Sequence, residues 1–503
     1  MSTAPEQTTD GSPEATGLVA RSTAAVSTAW TVSKFVPTVA RTAASYYVYG
    51  PPQSTWPLRL TLFTAVARYQ SQAAALERQI SGKEVDVVKA TQATRQRVEA
   101  MLTKDEPEQP KGGAVWETEF EVKKRGLKGV LAEVDAEETG SRKVKAEWTA
   151  HRSFLAGSTP SSSDRVLLYT HGGAYTLLSP KTHRPLVVQL AKELNCRALS
   201  VDYRLSPETR FPGGLLDAVN AYFYLTEDLG IPASNIIVGG DSAGGNLAVA
   251  LMMYLRDEGL PQVGGAVLLS PWVDMTASLG SWDENKDYDY LSAPIRGDVL
   301  SPPRLFLGHD EHDSLVHTAY VSPALSASLA SLPPLLIHSG GVEVLRDEHT
   351  LFAQRAAKEG VDVTLEVFMD GVHVFQAMQR DTGAKASLKA IREWAEARPT
   401  MASETAEDGV FAQVDEKLKQ AWEAKPEEQK KEPDATAPAP VWIYERRFER
   451  QPPIQLRADA HEEARKAVEE VKDYVPDEKL TALYYPKSAT QGVFARVRGM
   501  LHL

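Results

Sequence analysis

The chain carries one cysteine, Cys196, in 503 residues. No internal disulfide can therefore form, nor any cysteine-built zinc or iron–sulfur cluster, and a reducing compartment is the expected home. There is no uninterrupted apolar run of 18 residues, which excludes an ordinary membrane-spanning helix. The amino terminus holds Glu6, Asp10 and Glu14 and has neither the basic start nor the apolar stretch of a secretory signal. Basic residues are in deficit: Lys+Arg 55 against Asp+Glu 67 gives a formal net charge of −12. That balance speaks against a protein built to grip nucleic acid phosphates. Acidic residues are in turn missing locally. None occurs from Gly17 to Leu76, a stretch that holds Arg21, Lys34, Arg41, Arg59 and Arg68.

What is present fits a soluble globular protein with a large core, at 43% apolar and 24% charged residues. Residues 1–16 are rich in Ser, Thr, Pro, Gly and Glu and read as disordered. Residues 17–103 read as amphipathic and cap helices. Two short helices fill 17–49, with a change of phase near Pro37, and longer ones lie within 54–103. KDEPEQPKGG (104–113) is a linker by composition. Alternating runs then predict strands at 115–124, 129–137 and 143–151.

Beyond Asp164 the texture changes to short apolar runs, VLLYT, ALSVDY, IIVGG, GGAVLLS and PLLIHS, followed by VTLEVF. Helix-like stretches separate them, which predicts an α/β fold whose parallel sheet is covered on both faces. Residues 283–320 interrupt that rhythm and read as an insertion near one edge. The catalytic domain is placed at 114–397. After it, 398–503 form an extension in which the charged, Pro-rich stretch 423–440 separates helices near Val410–Trp422 and Ala460–Val471. No partner for the extension can be read from it.

Gly240-Asp241-Ser242-Ala243-Gly244 directly follows IIVGG and opens a helical run. G-x-S-x-G in that setting is a nucleophile elbow, a strained strand-to-helix turn that lifts the Ser242 hydroxyl clear of the sheet. About 70 residues upstream, and again just after an apolar strand, stands His171-Gly172-Gly173-Ala174-Tyr175. A glycine run there lets backbone N–H groups point at a developing oxyanion without side-chain obstruction.

These two motifs, with Asp202-Tyr203-Arg204-Leu205-Ser206-Pro207-Glu208 and Ser270-Pro271-Trp272-Val273-Asp274, resemble the α/β-hydrolases of the hormone-sensitive lipase type. The resemblance covers about residues 160–395 and is most detailed toward fungal members, steryl acetyl hydrolases among them. It implies the α/β-hydrolase fold, with a mostly parallel sheet of about eight strands, an N-terminal helical cap and oxyanion donors at Gly172, Gly173, Ala174 and Ala243. Ala174 stands where the family usually has a third glycine.

A serine nucleophile needs a base and an orienting carboxylate in the order Ser…Asp/Glu…His. His373 lies in Asp370-Gly371-Val372-His373-Val374-Phe375, just after VTLEVF, and is preferred to His349 and to the strand-bound His338. Gly341-Val342-Glu343-Val344-Leu345-Arg346-Asp347-Glu348 is similar to the family's G-x-D-P-L-x-D-E. It implies Glu343 as the acid, with Val344 where proline is usual and Asp347 as the alternative acid. Asp202 and Glu208 read as loop stabilisers, and the polar run His309–Asp313 as a solvated loop rather than a metal site.

The expectation is a carboxylic ester hydrolase that needs no cofactor or metal and acts on lipophilic short-acyl esters such as steryl acetates. The alternatives are an amidase, arylformamidase or deacetylase using the same triad, and a non-catalytic receptor on the same fold, which would be expected to lack the base. The basic, aromatic stretch 17–60 is expected to meet a lipid surface or to pack as part of the cap. The expected site is intracellular, either cytoplasmic or peripheral to an endoplasmic reticulum or lipid-droplet surface.

Overall fold

The computed structural model describes residues 35–104, 108–155, 165–295, 297–377, 382–398, 411–430, 454–474 and 479–485. The chain divides into two compact units, residues 1–70 and 71–503. In the first unit a helix covers 35–49, so the part of the two-helix reading that falls on 17–34 lies outside the described residues. The Tyr46 hydroxyl donates to the Trp56 carbonyl at 3.0 Å, and Phe35 meets the Tyr69 ring edge-on.

The second unit is built on one nine-stranded sheet. Its strands are β1 (Gly113–Glu121), β2 (Lys143–His151), β3 (Val166–Thr170), β4 (Arg197–Val201), β5 (Ile236–Asp241), β6 (Gly265–Leu269), β7 (Leu335–Gly340), β8 (Val363–Phe368) and β9 (Leu480–Tyr485). The spatial order is β1-β2-β4-β3-β5-β6-β7-β8-β9. β2 pairs antiparallel with both β1 and β4, and every other pairing is parallel.

β3 shows why so short a run suffices. Val166 and Leu168 point into one apolar core and Leu167 and Tyr169 into the other, so both faces are covered. Helices Gly213–Phe223, Ala243–Asp257 and Arg346–Lys358 pack on the first face, and Pro180–Glu193 and Thr382–Glu396 on the second.

Two expectations need correction. Residues 129–137 are not a strand but a 3₁₀ turn, Gly129–Leu131, running into the short helix Ala132–Ala136. Val130 and Val134, like Leu131 and Asp135, are four apart, a spacing that suits a helix as well as a strand-like mixture. The buried Asp135 carboxylate decides it by accepting the Arg125 and Leu127 N–H groups at 3.2 and 3.0 Å. The sheet, expected to have about eight strands, has nine among the described residues, and it is the domain boundary that needs correction. The ninth comes from the extension, so a boundary at 397 cuts through the sheet. Six residues beyond a charged linker gave no periodic signal to join them to β8.

Candidate active site

β5 ends at Asp241, and helix Ala243–Asp257 begins one residue after Ser242. Ser242 carries the whole turn, with φ 53° and ψ −123°, a conformation L-residues seldom hold without function. The flanking glycines are needed because backbone crowds them. A Cβ on Gly244 would lie 2.0 Å from the Thr170 carbonyl oxygen, and one on Gly240 would lie 2.4 Å from that of Gly244. Ser242 Oγ makes no hydrogen bond to another side chain or backbone group among the described residues.

His373 follows β8 in a tight loop and is buried. Its Nδ1 meets Glu343 Oε2 at 2.8 Å. Glu343 lies in the loop after β7 and is wholly enclosed. Because an ionised carboxylate only accepts, the contact fixes the Nδ1–H tautomer and leaves Nε2 without a proton in the neutral ring. Burial alone would push the His373 pKa down, but the hydrogen bond and charge of Glu343, with the charges of Asp289 and Asp241, raise it above its ordinary value. Burial likewise opposes ionisation of Glu343, and the neighbouring His349 and His373, with the Gly340 N–H, bring it below the ordinary value.

Glu343 Oε1 accepts from Gly340 N at 2.6 Å and from Ser270 Oγ at 2.9 Å. Ser270 Oγ in turn accepts the Val374 N–H at 3.1 Å, so one hydroxyl ties the Glu343 loop to the His373 loop. The longer Glu side chain is thus fully occupied at both oxygens. His349 stands beside this group, its Nδ1 2.8 Å from Ser339 Oγ. Burial pushes its pKa down to about 4 against the pull of the Glu343 charge. Asp347 faces elsewhere, paired with Arg346 at 2.8 Å and accepting the Ser281 N–H at 3.0 Å.

The loop after β3 holds His171–Tyr175. Ala174 and Tyr175 have φ of 55° and 61°, and a Cβ on Gly173 would sit 2.1 Å from the Leu177 carbonyl oxygen. The Gly173 and Ala174 N–H groups donate to no protein acceptor among the described residues, and Ala243, the first residue of its helix, has no intrahelical acceptor. Gly172 departs from expectation: its N–H is spent on Asp241 Oδ1 at 3.0 Å and is not open to an oxyanion.

Asp241 also accepts the Tyr169 hydroxyl at 2.6 Å, and His183 Nε2 lies 3.3 Å from its other oxygen. Burial would raise Asp241, but the charge and hydrogen bond of His183, with Tyr169, hold it down to about 2. His171 stacks on Tyr203 and is pushed down to about 3 by burial and by His183, so it is a neutral wall of the loop. The Tyr203 hydroxyl donates to the His171 carbonyl at 2.6 Å.

Glu208 holds Arg95 of helix Val87–Thr103 in a two-pronged pair at 2.9 and 3.0 Å. Arg95 also donates to the Thr176 and Ser206 carbonyls at 2.9 Å each, which fastens that helix beside the glycine loop. His338 is enclosed in β7, with Nδ1 2.6 Å from Ser387 Oγ, well removed in role from the His373 loop. Cys196 is buried, and desolvation pushes its thiol up to about 12.

Sequence reasoning missed Asp289, Asn285 and the linking role of Ser270. Ser270 sat inside a recognised motif and could have been flagged. Asp289 and Asn285 lie in a stretch read as an insertion, and no spacing ties them to the site.

A family model described as the alpha/beta hydrolase fold matches residues 167–377. An acetyl-hydrolase from Streptomyces hygroscopicus is 38% identical over 219 residues, which are 43% of this chain and 70% of that protein. An esterase from Acinetobacter venetianus is 32% identical over 242 residues, 47% of this chain and 76% of that one. Among solved structures, EstE5 soaked with ethyl alcohol superposes with a TM-score of 0.50 at 28% identity, covering 63% of this chain and 99% of that chain. The chain belongs to the α/β-hydrolase fold family, of the hormone-sensitive lipase type. Within that family it is a serine hydrolase of the carboxylesterase and acetyl-hydrolase group.

Proposed function

We propose that Ser242, His373 and Glu343 form the catalytic triad and that the substrate is a lipophilic ester with a short acyl group, steryl acetates included. The observation that carries this reading is the enclosed His373–Glu343 hydrogen bond of 2.8 Å, taken with a serine held in a strained elbow. Ser242 Oγ attacks the acyl carbon as His373 Nε2 takes its proton. The carbonyl electron pair moves to oxygen, where the N–H groups of Gly173, Ala174 and Ala243 hold the charge. The carbon–oxygen bond to the alcohol then breaks, and His373 gives its proton to the departing alkoxide. Water, deprotonated by His373, attacks the acyl-enzyme, and the acid leaves as the proton returns to Ser242. Glu343 keeps the imidazole oriented and stabilises its charged form.

We read the preference for short acyl groups on bulky alcohols from the motif resemblance and from the acetyl-hydrolase relative. The first unit supports a lipophilic setting. On helix 35–49, Val36, Tyr47, Val48 and Tyr49 are exposed beside Arg41, in a stretch without acidic residues. A basic face with exposed aromatics suits a peripheral hold on an anionic lipid surface, such as that of the endoplasmic reticulum or a lipid droplet. Among the described residues no helix is long and apolar enough to cross a membrane.

The test is fluorophosphonate labelling with the adduct mapped by mass spectrometry, followed by p-nitrophenyl esters from acetate to palmitate, a steryl acetate and a matched anilide. Labelling at Ser242, with acetate and butyrate turned over fastest, is expected. Labelling at another residue, or faster anilide cleavage, would overturn the reading.

A further inference from the structure

The segment Ser281–Tyr290, read from sequence as the start of an insertion, lies against both loops that carry the acid and the base. Asn285 Nδ2 donates to the Glu343 carbonyl at 2.8 Å. Ser281 Oγ donates to the Val344 carbonyl at 2.6 Å. Asp289 does more than hold one loop. Its Oδ2 accepts the Val344 N–H at 2.9 Å, and its Oδ1 accepts the His373 N–H at 3.3 Å and the Tyr290 N–H at 2.8 Å. One enclosed carboxylate thus spans the residue after Glu343 and the backbone of His373 itself. The Tyr290 ring lies 5.8 Å from the imidazole.

We propose that Asp289 is a positioning residue that fixes the His373–Glu343 pair by binding one backbone N–H from each loop. The proposal rests on the roles given above to His373 and Glu343. At position 344 valine supplies the N–H that Asp289 accepts, which proline in its place would lack. A carboxylate with two acceptor oxygens is also the side chain that can meet donors on two separate loops. Acting through the backbone, Asp289 touches no substrate, so its effect belongs in kcat rather than KM. Misplacing a reacting group by about 1 Å can cost roughly 10²-fold in rate.

Burial, with the charge of Glu343, raises the Asp289 pKa to about 6 against the pull of His373, so Asp289 carries its charge above that pH. The groups facing His373 are Glu343 of the acid loop, Asp241 of the elbow, Asp289 and Tyr290 of this segment, and His349 of helix Arg346–Lys358. Glu343, Asp289 and Asp241 each favour the imidazolium. Removing the Asp289 charge therefore lowers the pKa of His373 and shifts the acidic limb of the rate profile toward lower pH.

The experiment compares Asp289→Asn, Val344→Pro, the double variant and His373→Ala by kcat, KM, pH profile and thermal melting. Asp289→Asn should lose about 10- to 100-fold in kcat with KM changed by no more than about twofold, and its acidic limb should move down. Val344→Pro should lose less, because the His373 contact survives, and the double variant should be no worse than Asp289→Asn. Should Asp289→Asn fail to fold, Val344→Pro carries the test through its kcat. Wild-type kcat and an unmoved limb with only a lower melting temperature would overturn the proposal, as would additive losses in the double variant. If His373→Ala stays active, the triad reading itself has failed; if it is inactive while Asp289→Asn matches wild type, the positioning role alone has failed.

Discussion

At the scale of single residues, the site divides into groups that would touch the reacting atoms and groups that hold them. Ser242→Ala and His373→Ala should each cost roughly 10³–10⁶ in kcat, and the double variant should be little worse than either, because a relay fails at its first missing member. Glu343→Gln should cost at least about 10²-fold, since an amide can hold the wrong imidazole tautomer. Asp347→Asn should act on stability, because its partners are Arg346 and the Ser281 N–H. The reverse ranking in steady-state kinetics would place the acid at Asp347. The pH dependence follows from His373, whose pKa stands above the ordinary histidine value of about 6.5. On the proposed triad the base must be neutral, so the acidic limb of kcat/KM should lie above that value. The stability contributed by the imidazolium–carboxylate pair runs the other way. It is fully present below the unfolded pKa and is lost as pH rises through the folded one. Activity should therefore climb through the window in which denaturant melts show this term declining, and a limb centred below 6.5 would contradict the charge arrangement.

At the scale of elements, the elbow shows how a motif becomes geometry. Gly244→Ala should cost activity and about 1–3 kcal/mol or more of stability together, because the new methyl group meets the Thr170 and His171 carbonyls at 2.0 and 2.5 Å. Gly259→Ala is the contrast: φ is +65° there but nothing lies within 4 Å, so only backbone strain of about 1 kcal/mol is expected and activity should persist. Equal kinetic damage from both, measured alongside urea melts, would mean that the elbow does not depend on close backbone approach. The elements legible in the sequence were those with a local cause. The apolar runs of β3 to β8 announced buried parallel strands, and glycines at fixed offsets marked the turns at Gly173 and Ser242. Residues 129–137 misled because Val130 and Val134 fit two periods at once, and the deciding contacts reach back to Arg125 and Leu127. Asp289 was illegible for a related reason. Its partners, Val344 and His373, lie 55 and 84 residues away, and only the folded sheet brings them together.

At the scale of the molecule, the extension touches the sheet at both ends. Helix Ala412–Glu423 lies on β1 and β2; Asp415 grips Arg197, the first residue of β4, at 2.6 and 2.5 Å, and Phe411 meets the Trp148 ring of β2 edge-on. Lys425 Nζ donates to the Pro110 and Gly113 carbonyls at 2.5 and 3.0 Å, at the start of β1. At the far end β9 pairs with β8 along its whole length, from Val363 opposite Leu480 to Phe368 opposite Tyr485. Helix Glu462–Val471 is held to helix Arg346–Lys358 through Glu470 and Arg355 at 2.8 Å. β8 leads directly into the loop carrying His373, so the extension supports the strand from which the proposed base is hung. Ending the chain after residue 474 removes β9 and leaves the β8 edge unpaired, an open template for association. Burying a leucine contributes about 1.5–3 kcal/mol, so losing Leu480 and Leu483 should cost about 3–6 kcal/mol before any loosening of neighbours. The shortened chain should melt well below the full one and elute partly as aggregate in size-exclusion chromatography. Its monomeric fraction should lose fluorophosphonate reactivity at a lower temperature than the full chain does. Unchanged melting with unchanged reactivity would show that β9 stands outside the cooperative fold. The hydrolase would then be complete at β8.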